Sequence, residues 1–128
     1  NAGSALGAGA LAASAFVVTN TAAAASALVW VALSWAENKK PSAMAAVTGA
    51  VCGLVAITPA SGFVGPVASI AIGIIAGVVT YASVYIRTHK VRVDDTLDVW
   101  AAHGVGGVQA DSAGASARHT ISSSRFIL

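Results

Sequence analysis

From Ala10 to Trp35, and again from Val67 to Ile86, the chain carries no charged side chain, and this constrains its fold more than any other feature of the sequence. Each run is long enough to cross a hydrocarbon core, which takes about 20 helical residues. A third apolar run, from about Pro41 to Thr58, lies between them and is closed by Pro59. Charged residues make up 9% of the chain and hydrophobic ones 56%, with a mean hydropathy of +0.77. Ordinary globular domains carry about a quarter charged residues, so a soluble protein of this composition would have little with which to cover its surface. The expected fold class is therefore all-α, a polytopic transmembrane helix bundle, since a spanning segment must satisfy its backbone internally.

The same composition argues against other classes. A formal net charge of +2 is too small to suggest nucleic acid as a partner. The single cysteine, Cys52, sits inside an apolar run and reads as a small packing residue, with no disulfide framework and no metal-ligand spacing around it. No nucleophile, metal cluster or phosphate loop is visible, because the glycines lie in apolar helices rather than between a strand and a helix. The reading is not an enzyme, with neither cofactor nor metal. A structural membrane bundle without transport and the membrane anchor of an enzyme are the competing readings, and nothing supports the second.

Taken in order, Asn1 to Gly9 resembles the end of one helix turning into the next. The chain opens without an initiator Met or a basic n-region, so the first apolar run is not expected to be a signal peptide, and the whole is expected to be the interior of something longer. The first span is placed at about 10–35, with Thr19, Asn20 and Thr21 facing neighbouring helices or their own backbone carbonyls. Trp30 and Trp35 are expected at the membrane boundary. Glu37 to Lys40 form a charged loop, and Pro41 is expected to open a second span, 41–58. SGFVGP, Ser61 to Pro66, is an uncharged turn. The third span, 67–86, ends in Tyr81 and Tyr85 and is followed by Arg87, His89, Lys90 and Arg92.

These basic residues orient the chain. Lys39 and Lys40 follow the first span, Arg87, Lys90 and Arg92 follow the third, and the turn after the second has none. With spans alternating in direction both basic loops fall on one side, which the positive-inside rule assigns to the cytoplasm. Glycine pairs at four-residue spacing, Gly3 with Gly7, Gly49 with Gly53 and Gly73 with Gly77, favour close helix packing in a bilayer.

One ionisable side chain lies within apolar sequence: His103, in DDTLDVWAAHGVGGV, Asp94 to Val108. An Asp before an apolar run is a good N-cap, so a fourth helix is expected to start near Asp95 on the cytoplasmic side. It would carry His103 about two turns up, sharing a face with Val99. Gly104, Gly106 and Gly107 would let another helix press close. A neutral imidazole at such depth can donate from one nitrogen and accept at the other, which suits passing a proton or a small polar molecule. An ionisable group within a membrane is a functional site by default. No second histidine in the spans supplies a partner, and from this the chain is expected to be incomplete.

DDTLDVWAAHGVGG resembles the signature of the Amt/Mep ammonium transporter family around the second histidine of its twin-histidine pore. The resemblance extends over NAGSA, NTAAAA and KPSAMAAVTGAVCGLVAITPASGFVGP, and so covers roughly residues 1–108. It implies a fragment of an eleven-helix fold, carrying its seventh to ninth helices and the start of the tenth, within a homotrimer whose protomers each hold a narrow apolar pore. Ammonium or ammonia is then the substrate, the cell membrane the location, and a PII-type regulator a possible cytoplasmic partner. By the same resemblance His103 is the second pore histidine, Val99 lines the pore one turn below, and Ser4 contributes to the outer ammonium site. Thr48 and Asp98 match polar positions toward the inner mouth, where helix packing for Thr48 and capping for Asp98 stay open as readings. Asp95 resembles a structural acid at the helix start, and Trp100 reads as a packing residue.

Elements of the family that lie on earlier helices, the first pore histidine among them, are not in this chain, and it is not expected to conduct by itself. After Val108 the family continues apolar, whereas here QADSAGASARHTISSSRFIL is polar and rich in serine. Residues 109–128 are accordingly expected to form a divergent tail, disordered or produced by a frameshift or foreign junction near Gln109.

Overall fold

The computed structural model describes residues 1–91 and 100–124. Within them the chain is helical. Following a short 3₁₀ turn at Gly3–Ala5 come α1 (Ala10–Asn38), α2 (Ala43–Ile57), α3 (Pro66–Ile86), π-helical turns at Arg87–Val91 and Trp100–Val105, and α4 (Gly106–Ser124).

The helix ends follow from local chemistry. Lys39 takes a left-handed conformation, φ 60°, and its N–H bonds the Trp35 carbonyl, closing α1. Ser42 caps α2 by accepting the Ala45 N–H at 3.3 Å. Pro41, expected to open that helix, stands one residue before the cap, and the hydroxyl takes over the role assigned to the missing N–H. Pro66 does occupy the opening turn of α3. The end of α2 at Ile57 agrees with the expected stop before Pro59, which has no N–H to continue the helical hydrogen bonds although Thr58 before it keeps helical angles, φ −50° and ψ −51°. α2 has 15 residues, or about 22 Å at 1.5 Å per residue, short of a core about 30 Å thick. The chain continues beyond it as turns joined by Thr58 N–H to Val55 O and Ala60 N–H to Ile57 O. By contrast α1 and α3 are both long and apolar enough to cross a membrane.

α1 is the central element and packs against both α2 and α3. It buries Val18, Ala22, Ser26, Trp30 and Ser34, every fourth residue. α2 buries Ala45, Gly49, Gly53 and Ile57, and α3 buries Ser69, Gly73 and Gly77, at the same spacing. Small residues on these stripes bring backbones together without a hydrophobic contrast to drive them, as helices in lipid require. A Cβ on Gly53 would lie 2.6 Å from the Ala22 carbonyl, and one on Gly77 2.9 Å from Val29. The expected role of these two glycine pairs holds. Gly3 and Gly7 differ, since neither has an atom within 4 Å of a built Cβ.

The contact pairs give the direction of each helix. Gly49 meets Trp30 and Gly53 meets Ala22, so α2 runs antiparallel to α1. Thr21 meets Ser69, and Trp30 meets Thr80, so α3 runs parallel to it. The basic ends of α1 and α3 therefore lie together, as the charge pattern requires. α4 follows the direction of α2: Ala102, just before it, packs with Trp30, Ala45 and Cys52, while Gly114 sits against Pro59.

The polar residues of α1 behave as expected. Asn20 donates to the Phe16 carbonyl, and Thr21 bonds Val17 O, Val18 O and the Ser69 hydroxyl. Trp30 departs from expectation: it is buried, 4% exposed, and its Nε1–H donates to Thr80 Oγ1 at 3.1 Å. Its place on the four-residue stripe puts it in the core, whereas Trp35, one position off the stripe, is exposed. The tail is helical to Ser124 where its polarity suggested disorder. Alanines supply the helix propensity, Ala110 is buried at 4%, and Arg118 Nε donates to Gly114 O.

Candidate functional site

His103 stands in the π-helical turn Trp100–Val105. There the hydrogen bonds run five residues back instead of four, and the expected sharing of a face with Val99 falls on a residue outside the described ones. Three glycines close by, Gly104, Gly106 and Gly107, add no side chain that would resist the wider turn. The imidazole is exposed, while Ala102 beside it is buried against Trp30, Ala45 and Cys52. Packing thus anchors this turn through one residue and turns the next away from the three-helix core. Gly104 meets nothing closer than the Trp100 ring at 3.6 Å, and Gly107 has open space.

Ser4 is exposed in the 3₁₀ turn Gly3–Ala5, at the end of the bundle opposite the basic residues. That turn is tied to α1 by Asn1 Nδ2 donating to Thr19 Oγ1 at 3.0 Å. Thr48 is half-buried in the second turn of α2, toward the basic end. It lines a groove of about 240 Å³ together with Trp30, Glu37, Asn38, Tyr81 and His89. Asp95, Asp98 and Val99 lie outside the described residues. Ser4 and Thr48 are therefore at opposite ends of the bundle, and His103 lies at the level of Ala45 to Cys52.

The groove is organised by contacts the sequence did not suggest. Tyr81 donates its hydroxyl hydrogen to the Glu37 carboxylate, joining the last turn of α1 to α3. The Trp30 and Tyr81 rings meet edge to face, 5.1 Å apart at 81°, and Tyr85 stacks on His89 at 4.2 Å. Trp30 and Tyr81 resemble boundary aromatics when each helix is read alone. The four-residue stripe through Ser26, Trp30 and Ser34 was the available signal that Trp30 faces inward. No comparable signal exists for Glu37 and Tyr81, which meet only once α1 and α3 are paired.

Long apolar helices, small-residue packing stripes and a collar of exposed apolar side chains such as Phe16, Leu28 and Val67 define a fragment of a polytopic α-helical membrane bundle. A model of the Ammonium Transporter Family matches residues 1–117. The chain belongs to the ammonium transporter family. It is 52% identical over 107 residues to an ammonium transporter of Bacillus subtilis, covering 84% of this chain and 26% of the relative. It is 47% identical over 108 residues to ammonium transporter Amt1 of Archaeoglobus fulgidus, covering 84% of this chain and 27% of that protein. The crystal structure of Saccharomyces cerevisiae Mep2 superposes with a TM-score of 0.82 at 34% identity, over 89% of this chain and 27% of that one. Candida albicans Mep2 gives a TM-score of 0.79 at 37% identity, over 86% of this chain and 24% of that one. The chain thus spans about a quarter of the length of these relatives. The family model reaches residue 117, whereas the alignments to the two relatives cover 107 and 108 residues.

Proposed function

We propose that this chain forms one wall of the conduction path of an ammonium transporter, with His103 as the side chain that meets the substrate. The observation that carries this reading is the pairing of a buried Ala102 with an exposed His103 on a helix of family sequence. Ammonium is recruited near Ser4, gives up its proton, and passes the His103 imidazole, whose two nitrogens can donate and accept in turn. Val99 supplies apolar lining beside it, and Thr48 and Asp98 serve the inner mouth, with Asp95 at the helix start. The process is binding and deprotonation without covalent chemistry, so the protein is a transporter of the cell membrane and not an enzyme. The first pore histidine and the remaining walls come from parts of the full-length parent outside this chain. That parent assembles as a homotrimer, and its basic face is where a PII-type regulator would dock.

The test is His103→Ala in the full-length parent. Methylammonium uptake, or its selectivity over potassium, is expected to change by about tenfold or more, the scale of losing one hydrogen bond to a charged or reacting group. The variant should still insert, as judged by its yield in the membrane fraction. Unchanged uptake and selectivity in an inserted variant would overturn the reading.

A further inference from the structure

α4 and the turn before it carry an ionisable ridge beside their buried one. Ala102, Gly106, Ala110 and Gly114, every fourth residue, are buried, with Ala102 packed with Ala45 and Cys52 and Gly114 against Pro59. The residue after each forms the neighbouring ridge, which reads His103, Gly107, Asp111, Ala115 and then His119. His103, Asp111, Ala115 and His119 are exposed, and a Cβ on Gly107 would meet nothing within 4 Å. With the described residues the Asp111 carboxylate makes no hydrogen bond or ion pair. Arg118, seven residues on, is bonded through Nε to the Gly114 carbonyl of its own helix. Because α4 rises with α2 toward the end that carries Ser4, Asp111 stands on the order of 10 Å outside His103.

An ionised side chain at this depth faces a protein interior or a water-filled path, not hydrocarbon. The apolar side chains that α1 and α3 turn outward, Phe16, Leu28, Ile74 and Ile75 among them, suit lipid; the Asp111 ridge does not. We propose that Asp111 is a second ionisable group of the conduction path, a fixed negative charge on the wall of a water-filled vestibule that reaches inward almost to His103. A carboxylate in water favours a cation over its neutral form, so ammonium keeps its proton to this level and gives it up between Asp111 and His103. The sequence pattern resembled by residues 1–108 continues apolar where this chain has Asp111, so the charge belongs to this chain and not to that pattern. The inference rests on the transport reading for the path itself and adds a residue that reading does not use.

Two measurements on the full-length parent test it. Asp111→Asn should raise the KM for methylammonium uptake about threefold, the effect of one unit charge about 6 Å away in water, and leave kcat within twofold. Asp111→Glu should restore the KM, a split that a merely structural residue would not give. Ala115→Cys, one turn further out on the ridge, should react from the outer side faster with a cationic methanethiosulfonate than with a neutral one. Adding Asp111→Asn should cut that preference by the same factor of about three. An unreactive Ala115→Cys in an inserted variant would mark a helix or lipid against this face and overturn the proposal, as would Asp111→Asn leaving either the preference or the KM unchanged. Labelling needs no transport. A wild type that takes up no methylammonium therefore defeats the transport reading, while the reagent comparison still decides whether Asp111 charges a water-filled vestibule.

Discussion

Gly73 and Gly107 carry the same side chain and have opposite surroundings. A Cβ on Gly73 would run into the Ala22 backbone of α1, which cannot move aside as a flexible side chain can, while one on Gly107 meets nothing within 4 Å. Gly73→Ala is therefore expected to destabilise the bundle by about 1–3 kcal/mol through forced separation of α1 and α3. Gly107→Ala in this chain should be neutral or gain up to about 1 kcal/mol in helix propensity. Thermal unfolding of the two variants side by side in detergent checks this, and equal effects would contradict it. The same contrast separates Trp30 from Trp35. An indole in lipid or in a core looks alike in sequence, and what distinguishes them is that Trp30 finds Thr80 for its N–H and Gly49 for its ring.

Among the elements, α2 is the shortest of the apolar helices and the most dependent on its ends. Ser42 supplies its N-cap, and Pro59 sets its stop. Ser42→Ala should cost about 1 kcal/mol, within the usual range for a lost cap. It should also fray the first turn, read as faster amide exchange at Ala45 and Ala46. Exchange unchanged there would show that packing of Ala45 against Trp30 holds the turn without the cap. The helix ends at Asn38, Ile57 and Ile86 were close to legible because charge and proline mark them. The cap itself was missed: KPS draws the eye to proline, and a serine hydroxyl becomes a cap only when the backbone before it is extended, as it is at Ser42 with φ −120° and ψ 124°. The turn around His103 was legible as helix but not as π-helix, since periodicity reports which face is apolar and not how far each hydrogen bond reaches.

For the molecule as a whole, direction is the property on which charge and packing agree. α1 and α3 run parallel, with Lys39, Lys40, Arg87 and Lys90 at their shared end, and α2 returns between them. Single cysteines placed at Lys40 and Lys90 in the full-length parent should react with an impermeant maleimide only from the cytoplasmic side, and one at Gly62 only from outside. Cys52 is fully buried and should add little background. Labelling of Lys40→Cys and Gly62→Cys from the same side would refute the arrangement.

What the sequence determined by itself is the class, the number and rough limits of the apolar helices, their alternation, and His103 as the side chain out of keeping with its surroundings. These are consequences of charge being excluded from lipid, which acts on each segment independently and so can be read one segment at a time. The tertiary structure decided the rest. It buried Trp30, joined Glu37 to Tyr81, and set Ala102 inward so that His103 faces out. Such outcomes belong to pairs of helices, fixed by which small residue on one lets the backbone of another approach, and no single segment contains that information.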